Sequence, residues 1–297
     1  MLCSRPSGLE QKVDSLSQLK VKGLVVGPIH VAPPDDAMSL RVLIGITERS
    51  SAEDVSSLLS STHVDLLISR VLRGGDVDAT ERAQSVQFLY SNHSQTKLAW
   101  NLGGRVEGHL ASLVGPALVK LHQLLLLTLP GTPVFNYGDE IGLMDEVRSQ
   151  PAGGFESDWR HLSHSLQHIP PPPCVLMICL QEERAERLSC RRFFRSVSEL
   201  RGKERSLMFG DFVLLSNSSS SLAYLRVWDQ STRYVAAFNW AAEEAAVLQL
   251  SDAALPRQAA VVISTNSSAL PADSSVDLMN LYLGPGQAAL LKFPYTG

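Results

Sequence analysis

The chain has 297 residues, room for one large domain or two moderate ones. Hydrophobic residues make up 44% and charged residues 19%, a globular composition able to bury a sizeable core. A net charge of −4, with no lysine- or arginine-rich run, argues against nucleic-acid binding.

The four cysteines fit no metal pattern: Cys3 stands alone, and Cys174, Cys179 and Cys190 have neither a CxxC spacing nor a clustered histidine. They read as ordinary free or core thiols. Residues 1–8 lack an apolar core and do not read as a signal peptide. The leucine-rich stretch from Leu110 to Leu129 carries Pro116, Lys120, His122 and Gln123, so it reads as a buried helix of a soluble domain rather than a membrane span. Three Asn-x-Ser sequons stand at Asn92, Asn217 and Asn266. Used, they would place the chain outside the cell.

Taken in order, Leu9, Val13, Leu16 and Leu19 fall on one face of a helix from Leu9 to Lys20. Leu24 to Ile29, Arg41 to Ile46, Val64 to Ser69 and Lys97 to Asn101 read as buried strands, and Val31 to Asp36 as a linker with the solvated pair Asp35-Asp36. Helices are expected at Ala52 to Leu59 and Thr80 to Tyr90, and the leucine-rich helix follows the fourth strand. Pro130-Gly131 stops that helix and Thr132-Pro133 opens a fifth strand, in which Val134, Phe135 and Tyr137 have strand-forming side chains. Continuous apolar strands alternating with helices predict a parallel sheet covered on its faces.

After Gly138 breaks the fifth strand come Asp139 and Glu140, two adjacent carboxylates where a barrel enzyme keeps its chemistry. From about 150 the texture changes. Residues 150–180 read as an irregular loop with the proline run 170–173, and Glu182 to Ser206 as a charged helix. Short strands are expected at Phe212 to Leu215, Leu222 to Trp228, Tyr234 to Trp240, Ala246 to Leu250, Ala259 to Ile263 and Ala288 to Phe293. The expected organisation is α/β plus all-β: 1–205 a partial barrel, 206–297 an antiparallel β-sandwich domain.

The stretch from Gly131 to Gly142, with Gly131, Pro133, Tyr137, Gly138, Asp139 and Glu140 as its signature, resembles the strand-eight motif of the α-amylase family of glycoside hydrolases. Leu19 to His30, Lys203 to Leu207 with Gly210 to Phe212, and Trp228 to Gln230 are similar to a non-enzymatic branch of that family, the 4F2-type heavy subunits of heteromeric amino-acid transporters. The resemblance runs from about Gly8 to Tyr295. It implies a (β/α)8 TIM-type barrel followed by an antiparallel β domain. It also implies a plasma-membrane, extracellular location and a multi-spanning light-chain partner that carries the amino acids, with no cofactor and no metal. Cys3 lies in surroundings unlike those of the family's linking cysteine.

The chain departs from the enzymes in three places. A retaining glycosidase needs two carboxylates roughly 5 Å apart, one nucleophile and one acid. No Gly-x-Arg-x-Asp segment is present to supply the nucleophile, Gly45 is followed by Ile46 where the acid belongs, and Trp100 to Gly104 holds neither the His nor the Asp of the strand-seven segment. Glu48 points to the same side as Ile46 and is the displaced-acid candidate; a solvated glutamate is the favoured reading. Asp139 and Glu140 are expected to hold neighbouring backbone rather than substrate. His30 could line a barrel mouth but makes no site alone. His109, His122, His161, His164 and His168 have no zinc-ligand spacing. Only five strands precede residue 150, whereas a full barrel takes roughly 250 residues, so the barrel is expected to be incomplete and the chain a truncated product. The expectation is a non-catalytic ancillary subunit; the alternative is an amylase-class hydrolase of α-glucosides.

Overall fold

The computed structural model describes residues 43–73, 79–104, 107–145 and 173–295, with side chains of the last segment from residue 184 onward. The strand and helix expected before residue 40, His30, Cys3 and the histidines at 161, 164 and 168 lie outside the described residues.

Four strands form a parallel sheet in chain order: β1 (Ile44–Ile46), β2 (Leu66–Ser69), β3 (Leu98–Trp100) and β4 (Thr132–Pro133). Helices connect them. α1 (Ala52–Ser61) opens where the Ser51 hydroxyl accepts from the Asp54 N–H at 3.3 Å, with Glu53 and Asp54 complementing the dipole of its first turn. α2 (Ala79–Asn92) buries Ala79, Ala83, Val86 and Leu89, one face at helical spacing.

The leucine-rich segment corrects the expectation of one continuous helix. It is two, α3 (Leu110–Val114) and α4 (Val119–Thr128), with a 3-10 turn at Pro116–Leu118 between them. Pro116 has no N–H to donate back, and Gly115 turns the chain with φ 81°. The fifth expected strand is also shorter than its residue types suggested. Thr132–Pro133 pair as strand and the Val134 N–H adds one more bond to the Trp100 carbonyl at 2.9 Å, after which the chain leaves the sheet and Gly138 at φ 104° turns it into a 3-10 helix at Asp139–Ile141. β1 corrects the reading of a buried strand: Ile44 and Ile46 are 41% and 68% exposed, since β1 is the edge strand among the described residues.

The expected loop 150–180 is shortened at its far end, because α5 runs over Pro173–Lys203. Proline suits a first helical turn, so the end of the proline run starts the helix instead of interrupting it. α6 (Arg205–Met208) then leads into the antiparallel part: β5 (Asp211–Asn217), β6 (Ser221–Val227), β7 (Arg233–Asn239), β8 (Ala246–Leu248), β9 (Gln258–Ser264), β10 (Ser275–Asp277), β11 (Leu281–Leu283) and β12 (Ala288–Phe293). Six of these form one sheet in the order β10-β9-β12-β7-β6-β5, and β11 pairs β8. The three-residue strands β10 and β11 are too short to show a period of two, and they escaped the sequence reading.

β6, β7 and β12 are buried on both faces. Leu222, Tyr224, Tyr234, Ala236, Phe238, Ala288 and Leu290 join one hydrophobic core with α1, α2, α4 and α5. The alternate residues, Ala223, Leu225, Val235, Ala237, Ala289 and Leu291, join a second core with Leu248, Leu281 and Leu283 of the small sheet. The first core thus runs unbroken from the helices of the parallel part into the antiparallel sheet.

α4 threads the middle of this core, and its last carbonyls need partners. No basic residue sits in its own last turn. Two arginines arrive from elsewhere, Arg226 fully buried and Arg201 half-buried. Arg201 of α5 donates to the carbonyls of Leu127 (2.7 Å), Leu129 (3.1 Å) and Gly131 (2.5 Å), while Arg226 of β6 donates to Thr128 (2.8 Å) and Gly210 (2.8 Å). Burial lowers both guanidinium pKa values to about 10, which leaves them charged at neutral pH against the negative end of the helix.

Candidate functional site at the ends of the parallel strands

In parallel sheets, chemistry gathers at the carboxyl ends of the strands. Here those ends carry Glu48 after β1, Arg70 after β2 and Asn101 after β3, joined by Arg73, Glu107 and the loop from Val134 to Asp145.

The first three strand ends share one ion-pair network. Arg70 Nη1 contacts both Glu48 Oε2 and Glu107 Oε1, and Arg73 Nη1 lies 2.9 Å from the same Glu107 oxygen. Arg73 Nη2 donates to Asn101 Oδ1 and to the Gly103 carbonyl. Burial pushes the Glu107 carboxyl up, but its backbone hydrogen bond and the charges of Arg73 and Arg70 hold it below the usual range. The Arg73 guanidinium is pushed down by burial and by Arg70 beside it. Glu48 is 77% exposed yet paired with Arg70, so the expected solvated glutamate is an ion-pair partner as well.

The motif acids do different work. Asp139 is buried at 2% exposure; Oδ1 accepts from the Leu110 N–H and Oδ2 from the Asn136 N–H, each at 2.8 Å. The first bond fills an open donor at the start of α3, and the second fixes the turn that leads into its own 3-10 helix. Burial raises the Asp139 carboxyl, opposed by those two N–H donors and by His109. Glu140 Oε2 accepts from the Gly138 N–H at 2.7 Å. Gln123 of α4 donates to the Asp139 carbonyl at 2.8 Å, tying the loop to the core. Gly131 has φ 98°, and a side chain there would meet the Leu98 carbonyl at 2.7 Å. The signature residues Gly131, Pro133, Tyr137, Gly138, Asp139 and Glu140 therefore cluster as a strand, a turn and its backbone ligands.

His109 closes the end of the loop. Its Nδ1 lies 2.6 Å from Asp145 Oδ1 and its Nε2 lies 3.1 Å from the Tyr137 carbonyl, while its own N–H donates to Asp145 Oδ2 at 2.8 Å. His122 makes none of these contacts. It is buried in α4, with Nδ1 3.0 Å from the Leu118 carbonyl and Nε2 accepting from Trp240 Nε1 at 3.2 Å. Arg70, Arg73 and Glu107 were missed by sequence reasoning; the only available signal was a charge placed directly after a buried strand, Arg70 behind Ser69. Among the described residues no group of three His, Cys, Asp or Glu side chains is arranged to hold a metal. Nor is any helix among them long and apolar enough to cross a membrane. The three sequon asparagines are exposed, at the end of α2 (Asn92), the end of β5 (Asn217) and after β9 (Asn266).

Comparison with known proteins defines the class and then the family. The debranching enzyme of Nostoc punctiforme superposes with a TM-score of 0.58 at 18% identity, over 85% of this chain and 52% of that one. A trehalulose synthase superposes with a TM-score of 0.61 at 18% identity, over 85% and 56%. Over most of this chain the fold is shared with these enzymes of the α-amylase class.

In sequence, the chain is 35% identical over 303 residues to the amino acid transporter heavy chain SLC3A2 of Mus musculus, covering 98% of this chain and 56% of that one. It is 37% identical over 299 residues to the Oryctolagus cuniculus protein of the same name, covering 97% and 55%. The chain belongs to the family of amino acid transporter heavy chains, and it spans about half the length of the curated relatives it matches. No family model matches it.

Proposed function

We propose that the chain acts as a non-catalytic ancillary subunit of an amino-acid transporter. Its partner is a multi-spanning light chain that it escorts to the plasma membrane, its own folded part lying on the extracellular side. The observation that carries this reading is similarity to amino acid transporter heavy chains along 98% of its length. In the same reading, residues 1–205 correspond to part of a (β/α)8 barrel and 206–297 to a β-sandwich domain, with Asn92, Asn217 and Asn266 as glycan acceptors. The role requires no cofactor and no metal.

The state of the strand ends supports the absence of catalysis. A retaining glycosidase needs a carboxylate free to attack and another free to give a proton. Here Glu48 and Glu107 are held by arginines, and Asp139 and Glu140 by backbone N–H groups. An amylase-class hydrolase is the competing reading, favoured by the fold.

Co-expression with a multi-spanning amino-acid transporter subunit separates the two. The expected result is co-purification and a several-fold rise of that subunit at the cell surface, with no turnover of an α-glucoside. Turnover abolished by Glu48→Gln or Asp139→Asn would overturn the ancillary reading.

A further inference from the structure

We propose that the outer face of α5 binds a linear sulfated polysaccharide through a file of arginines. Arg184, Arg187, Arg191, Arg192 and Arg195 fall within twelve residues, separated in the sequence by Ala, Glu, Leu, Ser, Cys and Phe, which corrects the expectation that the chain has no arginine-rich run. At 3.6 residues per turn, Arg191 and Arg195 lie within about 20° of Arg184 around the helix axis, and Arg187 and Arg192 within about 80°. Cys190, Phe193 and Val197, about 120° to 180° round the helix from Arg184, are buried in the core, and Phe194 is buried at the edge of the file, about 20° from Arg187. Arg184, Arg187, Arg192 and Arg195 are exposed and Arg191 is half-buried.

The file is about 17 Å long at the rise of an α-helix. It contains no lysine, and guanidinium forks match the paired oxygens of sulfate and carboxylate groups. It stands in a chain whose net charge is −4, against the general balance. Glu186 lies round the other side of the helix. Glu199, at the far end, accepts from Arg195 Nε at 2.9 Å, and the Arg195 side chain remains 54% exposed.

The shape of the patch selects the polyanion. A helix that lies in a membrane surface inserts an apolar face. From residue 184 onward the apolar face of α5 is already in the core, and among the described side chains Leu188 at 44% exposure is the one large apolar group offered among the arginines. Single-stranded nucleic acid is held by aromatic platforms as well as charge; the aromatic side chains of this segment, Phe193 and Phe194, are buried. A narrow polysaccharide with repeated sulfates lies along such a file using charge and guanidinium hydrogen bonds alone.

Heparin is the probe, with the full chain as analyte. The variant Arg184→Gln/Arg192→Gln/Arg195→Gln is compared with a charge-matched control, Arg49→Gln/Arg205→Gln/Arg257→Gln, both checked for folding by circular dichroism. Binding is expected to weaken about tenfold or more in the first variant, with a shallower dependence of log Kd on log salt concentration, and to change less than about twofold in the control. Equal losses in the two variants would overturn the proposal. So would absence of heparin binding by the unmodified chain, or tighter arginine-dependent binding to phosphatidylserine vesicles or to single-stranded DNA.

Discussion

Asp139 shows how a residue changes meaning with its surroundings. In the sequence it is half of an acidic pair following a strand; in the fold both its oxygens accept backbone N–H groups and it is 2% exposed. The residue type fits either role, because an acid that binds substrate and an acid that binds backbone differ only in what lies opposite. His122 makes the same point with a measurable consequence. Its Nε2 accepts from Trp240, which fixes the neutral ring with its proton on Nδ1 toward Leu118. Burial lowers its pKa from 6.5 to about 4. Below pH 6.5 the unfolded chain takes up a proton that the folded chain refuses, so stability falls as pH drops from about 6.5 to about 4. The gap amounts to about 3 kcal/mol. Denaturant midpoints measured across that range should fall less steeply in His122→Gln; matching slopes would show that another group carries the acid sensitivity.

At the scale of the element, α4 depends on residues remote in the chain. Leucine content and flanking Pro130-Gly131 made a helix there legible. The break at Gly115-Pro116 was also written in the sequence, but a proline is tolerated in a first turn and ruinous in an interior, and its place in the helix was not visible. Nothing near Thr128 announced Arg201 and Arg226, which lie 73 and 98 residues further on (201 − 128 and 226 − 128). Replacing Arg226 by Met keeps the bulk and leaves the Thr128 and Gly210 carbonyls buried without donors. A loss of about 3 kcal/mol in urea unfolding is expected. A change within about 0.5 kcal/mol would mean that relaxation or water replaces both bonds.

For the whole molecule, the expected division near residue 205 meets a core that does not stop there. Tyr224 hydroxyl and Thr128 Oγ1 are 2.7 Å apart, Trp240 bonds His122, and Tyr224, Phe238 and Leu290 share one hydrophobic cluster with α2, α4 and α5. Unfolding should therefore be one transition. Near-ultraviolet circular dichroism, to which Trp100 of the parallel part and Trp240, Tyr224 and Tyr234 of the antiparallel part all contribute, should coincide with the far-ultraviolet helix signal. Two separated transitions would mean that the contact between the parts contributes little.

Alternating apolar strands and helices, then short strands, followed from the sequence alone, because periodicity and turn residues act over a few positions. The family resemblance was legible too, in motifs that keep their residue order. Tertiary structure decided what the acids at the strand ends do. Glu48, Glu107 and Asp139 acquire their partners from other strands and loops, and a carboxylate's role is set by the charge and donors within about 4 Å of it. It also decided that five arginines scattered through α5 form one file, since only a helix with its other face buried turns them the same way.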